Sequence, residues 1–298
     1  MQRRTVYSRR LMTCLIAWLA VMGCSKTPGF VKTDPATGAE PITLTPAGGD
    51  CLIAKIVQRN SSGTKGDNAF EIRRDATLQL QNISLYDSLR SKMDYNIQVT
   101  VKGDTLKLST GEYFVIDPVK KLVSSFSTLT DPSDPLSETE VFQYVYDANG
   151  YLSKKFAYVN GASTPSYETD YSYDNNNLLI GCIMYAGSKK DKLMQTVLTY
   201  DMSAQTKPWI YLFPDFFEGY QYMQALPFGK RGTYPVKSII TNIFDISDGS
   251  VLDTWTTSYS GLVLSLDNFI LQITAQGDLQ QGLGLLYGTT RFDYQCTK

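Results

Sequence analysis

The chain has 298 residues, 28 basic and 29 acidic side chains for a formal net charge of −1, five cysteines, 20 tyrosines and no histidine. The missing histidine excludes Ser-His-Asp and Cys-His nucleophile pairs, His-ligated metal or haem sites, and the usual general base near neutral pH. Chemistry is left to carboxylates, Lys, Tyr or a thiol, and the charge balance, with no Lys/Arg cluster beyond the first ten residues, argues against nucleic acid as a partner.

Arg3, Arg4, Arg9 and Arg10 form a basic start, and the apolar stretch Leu11–Met22 follows without a charge. A run this short does not span a bilayer as a mature helix, so residues 1–23 are expected to be a cleaved signal peptide. The small Gly23 immediately before Cys24 looks like a bacterial lipobox, in which the cysteine thiol is acylated and becomes the new N-terminus. That resemblance implies a lipoprotein carrying palmitate-type chains on Cys24, attached to the membrane through its lipidated end. Each buried methylene then contributes about 0.8 kcal/mol. Removal of 1–23 takes away four Arg and no acid, shifting the net charge from −1 to −5. Residues 24–50, rich in Pro, Gly, Thr and Ala, read as the lipidated Cys and a flexible tether.

A single β-rich domain is expected over 51–298. Apolar residues there recur with period two in short runs broken by Gly, Asn, Asp or Pro. The first strand starts at Cys51. Val99–Leu108 reads as a hairpin turning on Gly103-Asp104. Phe142–Tyr146 alternates, and Tyr167–Tyr173 places Tyr167, Tyr171 and Tyr173 on one face with Glu168, Asp170 and Ser172 on the other. Further strands fall at 112–117, 121–128, 151–159, 178–186, 193–200, 236–246, 251–260, 269–275 and 285–295. Strand follows strand without helical crossovers, which predicts an all-β antiparallel meander of hairpins, either a partial barrel or a twisted sandwich.

The segment Pro208–Leu226 departs from that pattern. It is crowded with aromatics, and Pro214-Asp215 offers a helix start, so one short helix is expected over roughly 215–225. Its rings serve either as core or as a flat binding platform, and Trp209, Tyr211, Phe213, Tyr220 and Tyr222 are the candidate ligand-binding residues. Of the three cysteines beyond the tether, Cys51 and Cys296 are a candidate disulfide that would staple the first strand to the last. Cys182 lies in an apolar run and reads as a small buried hydrophobe.

Tyr146-Asp147, Tyr173-Asp174 and Tyr200-Asp201 recur at spacings of 27 residues, and Ile116-Asp117 precedes them by 30. The unit is a strand ending in an aromatic, an Asp/Asn/Gly turn, and a strand beginning near a Leu (Leu122, Leu152, Leu179). Asp accepts hydrogen bonds from the turn backbone, and Asn149-Gly150 takes positive φ at little cost. Tyr-Asp-Ala-Asn-Gly-Tyr-Leu at 146–152 resembles the Tyr-Asp (YD) repeat of RHS-type proteins, over about 116–201. Together with the lipobox, tether, and cysteines at the first strand and near the end, the chain is similar to a family of exported lipoproteins of Bacteroides-type bacteria. The resemblance implies a β-rich, envelope-anchored module, and it carries over no activity.

Asp-rich turns at 147–149, 174–177 and 245–249 lack EF-hand spacing, and turn chemistry accounts for each, so no metal or other cofactor is expected. Asp215 and Glu218 form the most suggestive carboxylate pair for glycan hydrolysis, but both also fit a helix capping box. The function expected is that of a lipid-anchored cell-envelope protein, non-catalytic, binding a glycan or another surface component or envelope protein. The alternatives are a carboxylate-dependent glycan-active enzyme and a structural subunit of a surface assembly. Ser25 after Cys24 points to the outer membrane, on its periplasmic side or at the cell surface.

Overall fold

The structure, a computed structural model, describes residues 51–59, 68–75, 79–87, 92–129, 138–187, 191–212, 224–278 and 288–296. The expected signal peptide, the expected lipidation site Cys24 and the expected tether lie outside these residues. Sixteen strands follow one another: β1 (Cys51–Arg59), β2 (Asn68–Arg74), β3 (Leu80–Asp87), β4 (Lys92–Lys102), β5 (Thr105–Leu108), β6 (Tyr113–Ile116), β7 (Val123–Leu129) and β8 (Thr139–Tyr146). The second half comprises β9 (Leu152–Val159), β10 (Tyr167–Tyr173), β11 (Leu179–Ala186), β12 (Asp191–Tyr200), β13 (Val236–Phe244), β14 (Val251–Leu264), β15 (Ile270–Gly277) and β16 (Gly288–Cys296).

Each strand pairs antiparallel with its neighbours in sequence, and β16 returns to β1, so the sheet is a closed barrel. The expected partial barrel or sandwich is corrected here. The last strand runs beside the first from Cys51↔Cys296 to Arg59↔Thr289, with one bulge between Ile53 and Lys55. Closure leaves no unpaired edge, which removes the liability of exposed backbone donors and acceptors. A disulfide joins Cys51 to Cys296 where β1 and β16 meet.

The Gly103-Asp104 hairpin forms as read, with Lys102↔Thr105 flanking the turn and Gly103 at φ 61°. No helix occurs among the described residues. The helix expected over 215–225 falls largely outside them, and Gln224–Leu226 at its far end form a turn.

Period-two alternation sorts side chains to the two faces of the wall. Inward on β8 are Phe142, Tyr144 and Tyr146, all buried, while Gln143 and Val145 are exposed. On β10, Thr169 and Tyr171 are buried within the barrel, as the pattern required of Tyr171. Glu168 and Asp170 share Lys154 Nζ on the outer wall, at 2.8 and 2.6 Å. On β14, Thr254, Thr256, Ser258 and Ser260 face water, and Thr257 and Tyr259 face in.

Sixteen-stranded barrels ordinarily leave an aqueous lumen. This one is filled. One apolar cluster runs from Ile53 on β1 through Phe114, Phe142 and Ile239 to Phe292 on β16. The β12–β13 connection, residues 201–235, contributes Trp209, Ile210, Tyr211, Leu212, Leu226 and Phe228 to the same cluster. Its described residues pack against opposite parts of the wall. Trp209 packs edge-on against Phe292 at 6.0 Å between centroids. On the facing wall Phe228 meets Tyr144 at 5.0 Å and Phe114 at 6.4 Å, both edge-on.

Candidate functional site

The turns carrying the Tyr-Asp pairs sit at one end of the barrel, the end at which β1 begins and β16 stops. There each Asp closes its turn with its own carboxylate. Asp147 Oδ1 accepts from the amides of Asn149 (2.9 Å) and Tyr151 (2.8 Å). Asp174 Oδ1 accepts from Asn176 (2.9 Å) and Leu178 (2.8 Å). Asp117 does the same for Val119 and Lys120, and those two amides hold its carboxyl below the usual range. The fourth turn residue takes positive φ in Gly150 (85°) and Asn177 (60°), where Gly and Asn are the tolerant types.

The tyrosine before each Asp has a different job. At this end β7 and β8, β9 and β10, and β11 and β12 lie side by side without a covalent link. Tyr146 donates its hydroxyl to Val123 O (2.7 Å), Tyr173 to Leu152 O (2.9 Å) and Tyr200 to Leu179 O (2.8 Å). In every case the acceptor is the first residue of the preceding strand, so the tyrosine latches the open seam. Tyr294 on β16 completes the series by donating to Ile270 O, the first residue of β15, at 2.8 Å. The hairpin before it turns on Ser265, whose hydroxyl accepts from Phe269 N (3.0 Å), with Asn268 at φ 63°. Sequence reading missed this fifth unit because Ser replaces Asp and Leu264 replaces the preceding aromatic. The signal that could have found it is the shared offset from Ser265 to Asn268 and Ile270. Burial pushes the Tyr146, Tyr173, Tyr200 and Tyr294 hydroxyls well above their ordinary pKa.

The interior segment is tied to these turns by backbone bonds. Lys230 N donates to Gly150 O (3.0 Å), Lys207 N to Asn268 O (2.9 Å), and Val123 N to Pro227 O (3.0 Å). Gly229, at φ 98°, passes so close that an added Cβ would lie 2.7 Å from Gly150 O. Within the segment, Tyr211 OH donates to Gly229 O and accepts from Phe228 N, both at 3.2 Å. Gln224 brackets the Tyr211 backbone, accepting from its N–H and donating to its carbonyl. Arg74, reaching in from β2, donates to Ile53 O and Ala225 O. Burial first, and then repulsion from Arg231, lowers its pKa to about 10, so it stays charged at neutral pH.

Of the two readings open for the aromatic segment, these contacts favour core for Trp209 and Tyr211. Trp209 is 0% exposed and Tyr211 6%. Both belong to the apolar core cluster. Phe213, Tyr220 and Tyr222 lie outside the described residues, as do Asp215 and Glu218. Cys182 is buried and takes no part in a disulfide. No group of His, Cys, Asp or Glu able to hold a metal ion occurs among the described residues. The carboxylates of the Asp turns face their own backbone amides, and Asp245 likewise accepts from Ser247 N (2.8 Å) and Oγ (2.6 Å).

What remains open to solvent at this end is a small crevice. Its walls come from three turn units and the interior segment: Tyr151, Tyr173, Tyr200, Asn177, Lys230 and Arg231 lead the lining. The Tyr151 and Tyr173 rings stand 5.1 Å apart. Lys230 Nζ sits 5.4 Å from the Tyr151 centroid, and the Arg231 guanidinium 5.8 Å from that of Tyr211. Arg231 is aimed by one bond, Nη1 to Trp209 O at 3.0 Å. Tyr151, Lys230 and Arg231 escaped sequence reading because nothing in their local pattern marks the long β12–β13 connection as folding back onto the turn at 147–151.

No protein-family model matches the chain, and no curated protein matches it. Among solved structures it is similar to a porin-like protein from Bacteroides uniformis ATCC 8492. The identity is 11% over 82% of this chain and 98% of that one, with a TM-score of 0.55. A porin-like protein from Bacteroides vulgatus ATCC 8482 also matches, at 12% identity over 83% of this chain and 99% of that one, with a TM-score of 0.47. At 11% identity the first match shows a shared fold.

Proposed function

We propose that this chain is a lipid-anchored envelope protein whose barrel stands in water, does no chemistry, and binds a glycan or another surface component at the end formed by the tyrosine-latched turns. One observation carries the reading: an apolar cluster fills the barrel, while the outer wall carries charged and hydroxyl side chains among scattered apolar ones such as Val145, Ile180, Val197 and Ile240. A barrel that spans a bilayer by its wall shows the reverse, an outward apolar band with a polar lumen. Here Lys154, Glu168 and Asp170 form an ion triad on the outer wall, and Lys237 is exposed on β13. A Lys or Arg facing lipid at the midplane costs about 2–4 kcal/mol. The fold shared with a porin-like protein supports an envelope setting, while the packed interior argues against conduction. Membrane attachment then rests on Cys24, at the outer membrane, facing either the periplasm or the outside.

The binding role rests on the crevice, where the Tyr151 and Tyr173 rings and the Lys230 ammonium meet solvent. The test is binding of the exported, lipidated protein to an array of envelope and host glycans. Tyr151→Ala should abolish the signal while leaving the unfolding transition within about 1 kcal/mol, as for a half-exposed side chain. Hydrolysis of any arrayed glycan, or binding untouched by Tyr151→Ala, would contradict the reading.

A further inference from the structure

The chain that leads back to Cys24 joins the barrel at the turn end, because β1 begins there at Cys51, opposite Cys296 of β16. Three turns of this rim carry a large apolar side chain at their tips. Val119, between β6 and β7, is 87% exposed, Met202, just after β12, 51%, and Leu266, between β14 and β15, 104%. Turn chemistry does not call for them. Asp117 Oδ1 accepts from Val119 N and Lys120 N, Asp201 Oδ1 from Ser203 N and Oγ, and Ser265 Oγ from Phe269 N. The turns are thus closed through other groups, and each tip side chain is free to be polar. Two sister turns of the rim expose the small Ala148 and the polar Asn175 instead. Apolar surface held in water is unfavourable unless something takes it up. The three tips stand apart on the circumference, and three separated points on a rim define a plane. At the opposite end, Ile246, Val251 and Leu252 are about half exposed, but all belong to the one β13–β14 hairpin. Charge does not select the partner. Exposed lysines such as Lys120, Lys121 and Lys230 are interspersed with aspartates such as Asp117, Asp147, Asp174 and Asp201, so the rim offers no strong field of either sign.

We propose that this rim docks on the bilayer surface, seating Val119, Met202 and Leu266 at the boundary of headgroups and acyl chains, so that the barrel presents its opposite end away from the membrane. The inference rests on the lipid anchor proposed above, goes beyond it by assigning the face that meets the membrane, and does not depend on the crevice. Lys120 and Lys121, beside Val119, can lay their stems along the boundary and keep their ammonium groups in the headgroup layer. Three side chains do not retain the protein by themselves, since even a whole myristoyl chain binds only marginally. The acyl chains hold the protein and the tips orient it.

The test places an environment-sensitive fluorophore on one added thiol of the full exported chain, reconstituted in phosphatidylcholine vesicles that carry a lipid-borne quencher. Cys51 and Cys296 are joined and Cys182 is buried, and Cys24 is acylated in the anchored chain, so the reagent meets the added thiol. The label on Leu266→Cys should emit at shorter wavelength than the label on Ile246→Cys at the opposite end. It should also be quenched at least about twofold more, since interfacial apolar groups lie about 5–10 Å into the headgroup/acyl boundary. Both positions are exposed, so neither variant should disturb folding, and the unfolding midpoint provides the check. A label on Asn175→Cys, on the same rim, should lose its quenching when Val119→Ser, Met202→Ser and Leu266→Ser are combined. Quenching should be the same at low and high salt, because an apolar contact is not screened. Equal quenching at the two ends, stronger quenching of Ile246→Cys, quenching that survives the triple Ser variant, or quenching lost at high salt overturns the docking and leaves the anchor standing. A chain that does not float with the vesicles overturns both.

Discussion

Phe228→Ala tests whether the interior segment is a structural member of the barrel. Phe228 is 1% exposed. Its ring lies edge-on to Tyr144 at 5.0 Å, Tyr211 at 6.2 Å and Phe114 at 6.4 Å. Truncating a buried Phe costs about 3–5 kcal/mol, from lost transfer free energy plus the cavity left behind. Three aromatic contacts place this residue toward the upper part of that range, since each such pair adds about 0.5–1.5 kcal/mol beyond its buried area. For a domain of this size, 1 kcal/mol moves the midpoint by about 2–4 °C, so thermal unfolding should shift down by about 6–20 °C. The assay is urea and thermal unfolding followed by Trp fluorescence, with Val119→Ala as the control because Val119 is 87% exposed. A loss below about 1 kcal/mol would refute the reasoning, because it would mean the ring is not enclosed by the wall.

Four further outcomes are expected. Gly229→Ala should destabilise by more than about 1–2 kcal/mol, because a side chain at φ 98° is strained and its Cβ meets Gly150 O at 2.7 Å; equilibrium unfolding of the variant measures it. Tyr173→Phe and Tyr200→Phe should each cost about 1 kcal/mol through the lost hydroxyl-to-carbonyl bond, whereas the exposed Tyr113→Phe should be neutral. Reduction of Cys51–Cys296, which closes a separation of 245 residues, should lower stability by about 2–5 kcal/mol without opening the barrel, since the β1–β16 ladder remains; unfolding with and without reductant reads this. Stability should also be nearly constant between about pH 5.5 and 8, as the chain has no histidine to titrate there. The latch tyrosines have pKa values raised in the folded state. Their contribution is therefore complete below the unfolded value of about 10 and is lost as pH rises past it. The Asp117 carboxyl, held low by its turn amides, contributes stability that is lost as pH falls through the carboxylate range, so a pH series of unfolding curves should fall on both sides of that plateau.

The alternation of Phe142–Tyr146 and Tyr167–Tyr173 was enough to orient β8 and β10, because a wall with one apolar face imposes period two on its residues. The hairpin at Gly103-Asp104 and the Asp turns were equally legible, since their chemistry is local. β2 and β3 were not. Asn68–Arg74 carries Glu71, Arg73 and Arg74 among only three apolar residues, and Arg74 turns inward for carbonyls 21 and 151 residues away. Closure was hidden for a related reason. Whether β16 meets β1 or leaves an open edge depends on accumulated twist and strand number, which no single strand encodes. The aromatic richness of 208–226 was visible, but rings suited to a core and rings suited to a platform are the same residue types. Only tertiary contacts, such as Trp209 against Phe292 and Phe228 against Tyr144, show the segment inside the barrel. The crevice was illegible because Tyr151 and Lys230 meet across 79 positions without a shared motif.

The account's central claim is that the outer wall faces water and only the lipid holds the protein to the membrane. Fractionation of cells exporting the full chain with Cys24→Ala tests this most directly. The variant should appear, folded and free of detergent, in the soluble envelope fraction or the medium, while the unaltered chain stays with the membrane. Retention of the variant in carbonate-washed membranes would contradict the claim, because the wall itself would then be the part that holds the lipid.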